Sequence, residues 1–227
     1  MEIPQFSAKY YRFSVDFRGI KTDFLRDRGG IKMEKAPLIL LVGKSGSGKN
    51  YFTKFAKEKL EMDEVISRTT REPRFAGEDT HLFVSRERAE REINNSLAYT
   101  YYCGNHYYVL EEDLKGKIFY VVDQKGVETF KSNCYDIPHI VVYYNVPFFV
   151  RAWRMFKRGD ELKEIIKRLI NDHKDFNKMK QLQDVEVKNM QQLTTIGKVV
   201  FDYKEYINTE SIINMMNICV AFNQGGE

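Results

Sequence analysis

Cysteine is scarce in this 227-residue chain: Cys103, Cys134 and Cys219 are the only three, and their spacing pairs none of them. The scarcity excludes a disulfide-framed secreted domain and a cysteine-built metal site, and it fits the reduced thiols of an intracellular protein. Long apolar runs are missing too. No stretch reaches the ~18 residues of a membrane span, and the N-terminus lacks the apolar centre of a signal peptide, so a cytoplasmic protein with no membrane partner is expected. Nor is there a surplus of charge of one sign, since 36 Lys and Arg face 32 Asp and Glu, a net of +4. That balance suits a protein that handles phosphates and falls short of a nucleic-acid binder. Internal repeats and low-complexity tracts are absent from the sequence.

What is present is enough chain for one α/β domain with an accessory lid, or for two small domains, and 43% hydrophobic residues to build a core. The organising stretch is residues 38–50. Leu38-Ile39-Leu40-Leu41-Val42 reads as a buried strand, and Gly43, Lys44, Ser45, Gly46, Ser47, Gly48 and Lys49 have the spacing of a phosphate-binding loop. Glycines let such a backbone curl until several N–H groups point at phosphate oxygens, while the lysine reaches the β/γ-phosphates. The following helix adds its N-terminal partial charge to the same anion. Asn50 stands where Ser or Thr usually offers a hydroxyl to Mg²⁺, and its amide oxygen is a weaker oxygen ligand.

Residues 1–32 read as a loosely ordered extension. Tyr10, Tyr11, Phe13, Val15 and Phe17 hint at a period of two, which would instead make a β-hairpin on the sheet edge, but interspersed charges dilute it. Residues 49–62 form an expected helix with Phe52, Phe55, Ala56 and Leu60 on one face. Val65-Ile66 opens a short strand leading into residues 67–74, where Arg71 and Arg74 bracket a proline. They make either an anion clamp, since guanidinium forks match phosphate geometry, or a solvated basic loop. Residues 82–84 are a strand and Ser85 a helix N-cap. Residues 99–102 and 106–109 form a hairpin about Cys103-Gly104-Asn105.

Residues 117–123 are a second strand ending in Asp123, a carboxylate suited to the Mg²⁺ side of a phosphate site or to capping the next helix. Residues 140–146 are a third strand, and Pro147 starts a segment studded with Arg151, Arg154, Lys157 and Arg158. Asp160 or Glu161 opens an amphipathic helix with Ile165, Ile166, Leu169, His173 and Phe176 on one face. Residues 178–192 are expected as solvated helix or loop, Val199-Val200-Phe201 as a final strand, and Ile212, Ile213, Met216 and Val220 on a last helix. Strands alternating with helices give an α/β fold, a parallel sheet covered on both faces with ligands at the carboxyl ends of its strands.

With the loop at 43–50, the string Ser-x-Thr-Thr-Arg-x-Pro-Arg at 67–74, Gly104-Asn105-x-Tyr107, Asp123-Gln124-x-Gly126-Val127, and Arg158-Gly159 followed by Arg168-Leu169 resemble the guanylate kinase family of nucleoside monophosphate kinases. The resemblance covers residues 36–223 and leaves 1–35 as an N-terminal extension. It implies a P-loop NTPase fold with a core at 36–66, 113–149 and 176–223, an acceptor nucleotide subdomain at 67–112 and a helical lid at 150–175. It implies transfer of the ATP γ-phosphoryl group, with Mg²⁺, to GMP, dGMP or a related (deoxy)nucleoside monophosphate. Residues 43–50 would then hold ATP, and Asn50 would meet the metal. Lys49, Arg158 and Arg168 would spread charge on the transferring group. Ser67, Arg71, Arg74, His81, Tyr107 and Asp123 would bind the acceptor, His81 near the place of a second phosphate-binding tyrosine.

Besides Asn50 and His81, the pattern departs at three further positions. Ala98 stands where the family has its base-reading glutamate, Val109 where it has a hydroxyl, and Val121 where it has the first acid of an Asp-x-Asp pair. Guanine's N1–H and N2 amine want a carboxylate acceptor, so base choice is expected to be relaxed or changed. Two rival readings are a catalytically silent guanylate-kinase-like module that binds a protein partner, and a P-loop kinase for another small phosphorylated acceptor. Gly43, Gly48, Lys49 and both lid arginines favour a working nucleoside monophosphate kinase, and a homo-oligomer is compatible with it.

Overall fold

Aromatic and β-branched residues alternating with charges near the N-terminus pair as an antiparallel hairpin, β1 (Tyr10–Phe17) and β2 (Ile20–Asp27), in unbroken register from Tyr10↔Asp27 to Phe17↔Ile20. The computed structural model describes residues 10–17, 20–27, 37–73, 75–203 and, near the C-terminus, 212, 213, 216, 217 and 220, with the backbone alone described in the hairpin and at 199–203. The hairpin replaces the loose extension expected there, because period-two alternation on both sides of Arg18-Gly19 outweighs the interspersed charges. It forms a two-stranded sheet of its own rather than an edge of the central one.

After it come β3 (Leu38–Val42), α1 (Lys49–Leu60), β4 (Arg68–Thr69), β5 (Leu82–Phe83), α2 (Arg86–Glu92), β6 (Ala98–Tyr102), β7 (Asn105–Val109) and β8 (Phe119–Val122). The chain continues with α3 (Gln124–Asn133), β9 (His139–Tyr144), α4 (Phe148–Lys157), α5 (Leu162–Asp175), α6 (Met179–Leu182), β10 (Val185–Val187) and α7 (Met190–Tyr203). A four-stranded parallel sheet has the order β10-β9-β3-β8. Its central strand β3 is buried along its whole length, and alternate residues serve opposite faces. Ile39 and Leu41 join Phe52, Ala56, Leu193 and Ile196 under α1 and α7, with Ile212, Met216 and Val220 in the same cluster. Leu38, Leu40 and Val42 join Val127, Phe130 and Ala98 on the other face. Both faces being covered explains why the strand reads as an unbroken apolar run.

The chain leaves β3 for β8 on one side and later returns to β9 on the other, so the carboxyl end of β3 is the switch point where ligands of such sheets bind. A second sheet, β5-β4-β7-β6, is built from residues 68–109. Two expectations need correcting. Val199-Val200-Phe201 lies in helix α7, where the packing of Leu193 and Ile196 outweighs β-branched propensity. The edge strand instead falls inside the polar run at 178–192, because Val185 and Val187 alternate with Glu186 over a span too short to register as a pattern.

Candidate active site

Loop 43–48 leaves the carboxyl end of β3 and runs into the N-terminus of α1. Gly46 has φ 75 and Gly48, the N-cap of α1, φ 103; a Cβ on Gly46 would lie 2.8 Å from the Arg151 carbonyl. Among the described residues, no hydrogen bond uses the N–H of Gly46, Gly48, Lys49 or Asn50, which leaves a set of donors at the positive end of a helix. Ser47 is fully buried, and its Oγ has no partner among the described residues. The Lys49 ammonium donates to the carbonyls of Gly43 and, at 3.4 Å, Lys44. Burial pushes it down to about 8, while Asp172 pulls it back and Arg151 adds to the fall. Among the described residues an ammonium, unpartnered amides and an unpartnered hydroxyl thus gather around one loop, the donor chemistry an anion needs.

Asn50 is exposed at the first turn of α1. Among the described residues no cluster of three His, Cys, Asp or Glu side chains has the geometry to hold a metal ion. Asn50 would therefore be a single neutral oxygen ligand for a Mg²⁺ ion that came with a nucleotide and drew its other oxygens from phosphate and water. Asp123 is the N-cap of α3, its Oδ1 accepting from Gly126 N and Thr100 Oγ1, both at 2.7 Å. Its other carboxylate oxygen takes no hydrogen bond among the described residues.

Four of the expected acceptor residues come together on the second sheet. Tyr107 lies opposite Thr69 in the β4–β7 register, Ser67 Oγ and His81 Nδ1 are 2.8 Å apart, and the His81 and Tyr107 rings meet edge-on at 5.6 Å. Arg71 is held by Glu78, with Nη2 donating at 2.8 Å, and lies over the Phe83 ring at 5.3 Å. The Glu78 bonds, with help from Tyr107, raise the already high guanidinium pKa. Arg71 Nε is buried without a partner among the described residues. Arg74, the second arginine of the expected clamp, lies outside the described residues. Arg68, which carries no role in the sequence reading, anchors the sheet: it binds Asp113 through Nε and Nη2, both at 2.9 Å, and also Glu92 and Glu112.

The segment after Pro147 separates into two pairs of arginines. Arg158 and Arg168 share Asp160, at 2.9 Å from Arg158 Nε and 3.2 Å from Arg168 Nη1. Arg151 and Arg154, one turn apart on α4, bond the loop itself through the carbonyls of Ser45 at 3.1 Å and Ser47 at 2.5 Å. In the sequence these two are only basic studs, and their i, i+3 spacing is the signal for a shared face. Helix α5 also turns differently from expectation. It buries Ile165, Leu169 and Asp172, while Ile166, Ile170 and His173 stay exposed. His173 and Ile170 line a cavity of about 490 Å³ with Lys44, Phe148 and Arg151.

No family model matches the chain. Among curated proteins, the guanylate kinase of Helicobacter pylori (strain ATCC 700392 / 26695) is 28% identical over 193 residues, which is 77% of this chain and 93% of that protein. The guanylate kinase of Clostridium tetani (strain Massachusetts / E88) is 32% identical over 158 residues, 64% of this chain and 74% of that protein. Among solved structures, guanylate kinase from Anaplasma phagocytophilum superposes with a TM-score of 0.55 at 14% identity, covering 80% of this chain and 96% of that one, and so shares the fold.

Proposed function

The chain belongs to the guanylate kinase family, and from that premise we propose that it is an ATP-dependent phosphotransferase that phosphorylates GMP, dGMP or a related (deoxy)nucleoside monophosphate. The observation that carries the reading is the loop at 43–48, with the Lys49 ammonium enclosed among carbonyls and the Gly46 and Gly48 N–H groups unused among the described residues. A cytoplasmic location goes with it, and among the described residues no helix is long and apolar enough to cross a membrane.

In this reading little covalent chemistry falls to the protein, and catalysis is positioning plus charge stabilisation. The amides of the loop and Lys49 bind and orient the donor phosphates. Ser67, Arg71, Arg74, His81 and Tyr107 hold the acceptor, Arg71 and Arg74 at its phosphate, and Asp123 stands between the two halves on the N-terminus of α3. Arg158 and Arg168, tethered by Asp160, are brought over the transferring group when the lid (150–175) and the acceptor subdomain (67–112) close, which excludes water. Asn50 would be the chain's ligand to a Mg²⁺ ion arriving with the nucleotide, and that ion would supply neutralisation of phosphate charge.

A coupled assay of ADP formation from ATP against a panel of ribo- and deoxynucleoside monophosphates tests the proposal. Turnover dependent on one or more of them is expected. No turnover with any acceptor, in a protein that still binds a peptide or protein ligand, moves the assignment to the silent module.

A further inference from the structure

Ser45, the third residue of the phosphate loop, is bonded to the α4–α5 pair through every polar group it has. Its N–H and Oγ donate to the two oxygens of Asp172 at 3.0 and 3.1 Å, and its carbonyl accepts from Arg151 Nη1 at 3.1 Å. Arg151 and Asp172 lie on different helices, both buried, and pair at 2.6 Å. Arg151 Nε donates to the Val146 carbonyl at 3.2 Å, so the guanidinium is braced from the end of the β9 segment as well.

A buried ion pair is a poor way to hold two helices together, because desolvation opposes it and an apolar pair of similar size would cover the same surface at least as well. What an apolar pair could not do is orient Ser45. The chain has no cis peptide among its described residues. In a planar trans peptide the C=O of one residue and the N–H of the next point in opposite directions. A Ser45 carbonyl held by Arg151 therefore turns the Gly46 N–H away from α4, and that N–H has no acceptor among the described residues.

We propose that Arg151 and Asp172 are positioning residues for the phosphoryl donor: they clamp Ser45 so that the Gly46 N–H is presented to a bound polyphosphate, and they make the base of the lid part of the rigid loop. The inference rests on the kinase reading above. It divides the arginines by task. Arg151 acts on the loop through Ser45, and Arg158 and Arg168 at the free end of the helical pair act on the reacting group. It also makes a prediction opposite in sign to simple electrostatics. Asp172 is a negative charge next to an anion site, so its removal would tighten ATP on charge alone; loss of the clamp weakens it.

Calorimetric binding of Mg²⁺·ATP to the full chain, alongside steady-state kinetics, tests this with three variants: Asp172→Asn, Arg151→Lys, and the apolar exchange Arg151→Met with Asp172→Leu, which retains packing if a single variant does not fold. The expected result is ATP binding weaker by about ten- to hundredfold in all three, since a small misplacement of positioning groups is felt on this scale. KM for the acceptor should stay within about twofold of the parent, and the thermal midpoint of the apolar double variant should stay near it. Arg151→Lys should be among the impaired variants, because an ammonium cannot serve Asp172, Ser45 and Val146 together. Unchanged or tighter ATP binding in the folded variants overturns the clamp while leaving the kinase reading intact. A parent that binds no ATP overturns the kinase reading, and the clamp falls with it.

Discussion

Ala98 and Val109 are cross-strand partners in the β6–β7 pair, and neither exposes any surface. Two of the three further departures from the family pattern are thus one structural change. Where the resemblance expects a carboxylate and a hydroxyl facing each other, this chain has two apolar groups closed into the cluster with Phe130 and Val127. A site that hydrogen-bonds guanine discriminates strongly because its polar groups are left unpaired by the wrong base, and an apolar pair has no such penalty to impose.

The acceptor panel should therefore show a preference for GMP over other purine monophosphates below about 10²-fold, far short of the 10⁴–10⁵ that a hydrogen-bonded site can reach. The double variant Ala98→Glu with Val109→Ser should raise kcat/KM for GMP relative to the rest, whereas Ala98→Glu alone buries a carboxylate opposite Val109 and should lower stability. A parent already specific for guanine by 10⁴-fold, the upper range for hydrogen-bonded sites, would show that other groups read the base.

Lys49→Ala should abolish transfer and leave the fold intact, because the ammonium bonds only loop carbonyls among the described residues. Circular dichroism and the coupled assay check this together, and activity within about tenfold of the parent, a difference of only 1.4 kcal/mol, would refute the role.

The same lysine sets a pH dependence. With its ammonium at about 8, kcat/KM for ATP should fall as pH rises through that value, reporting the free enzyme. Stability should move the other way. The unfolded chain keeps the Lys49 proton up to its ordinary value of 10.5, so between 8 and 10.5 the unfolded state binds more protons and the folded state gains as pH rises. Comparing urea midpoints of the parent and Lys49→Met across this window isolates the contribution.

Arg71→Ala and Arg74→Ala should each raise KM for the acceptor by about tenfold or more, since charge-assisted guanidinium bonds are the strong ones, while KM for ATP changes little. The reverse split, lost ATP binding with an unchanged acceptor KM, would count against the clamp at 71–74.

Arg68→Met should destabilise the second sheet by about 3–5 kcal/mol, because it strands buried or half-buried carboxylates of Glu92 and Asp113. Burial opposes ionisation of Glu92, yet bonds from Arg88, Tyr108 and Arg68 outweigh it and hold its carboxyl at about 2. Its contribution is thus complete above the unfolded value of 4.5 and is lost as pH falls through about 2. Acid unfolding curves of the parent and Arg68→Met should converge at low pH; parallel curves would assign the loss to packing alone.

What the sequence determined by itself is what local chemistry dictates. The run at 38–42 reads as a buried strand and is one, the glycines at 46 and 48 serve a backbone with positive φ, and Ser85 caps α2 because its hydroxyl accepts from Arg88 N. These signals lie within a few residues of their effects. Tertiary structure decided the rest, where effect and signal are far apart or opposed. Val199-Val200-Phe201 is helical because packing beneath α7 overrides propensity, and Val185–Val187 is a strand because β9 supplies its partner. The clamp on Ser45 joins residues 106 and 127 positions away, a distance across which no periodicity or spacing speaks. Ala98 and Val109 show the same division: each reads alone as a lost polar group, and only the strand register makes them one apolar contact.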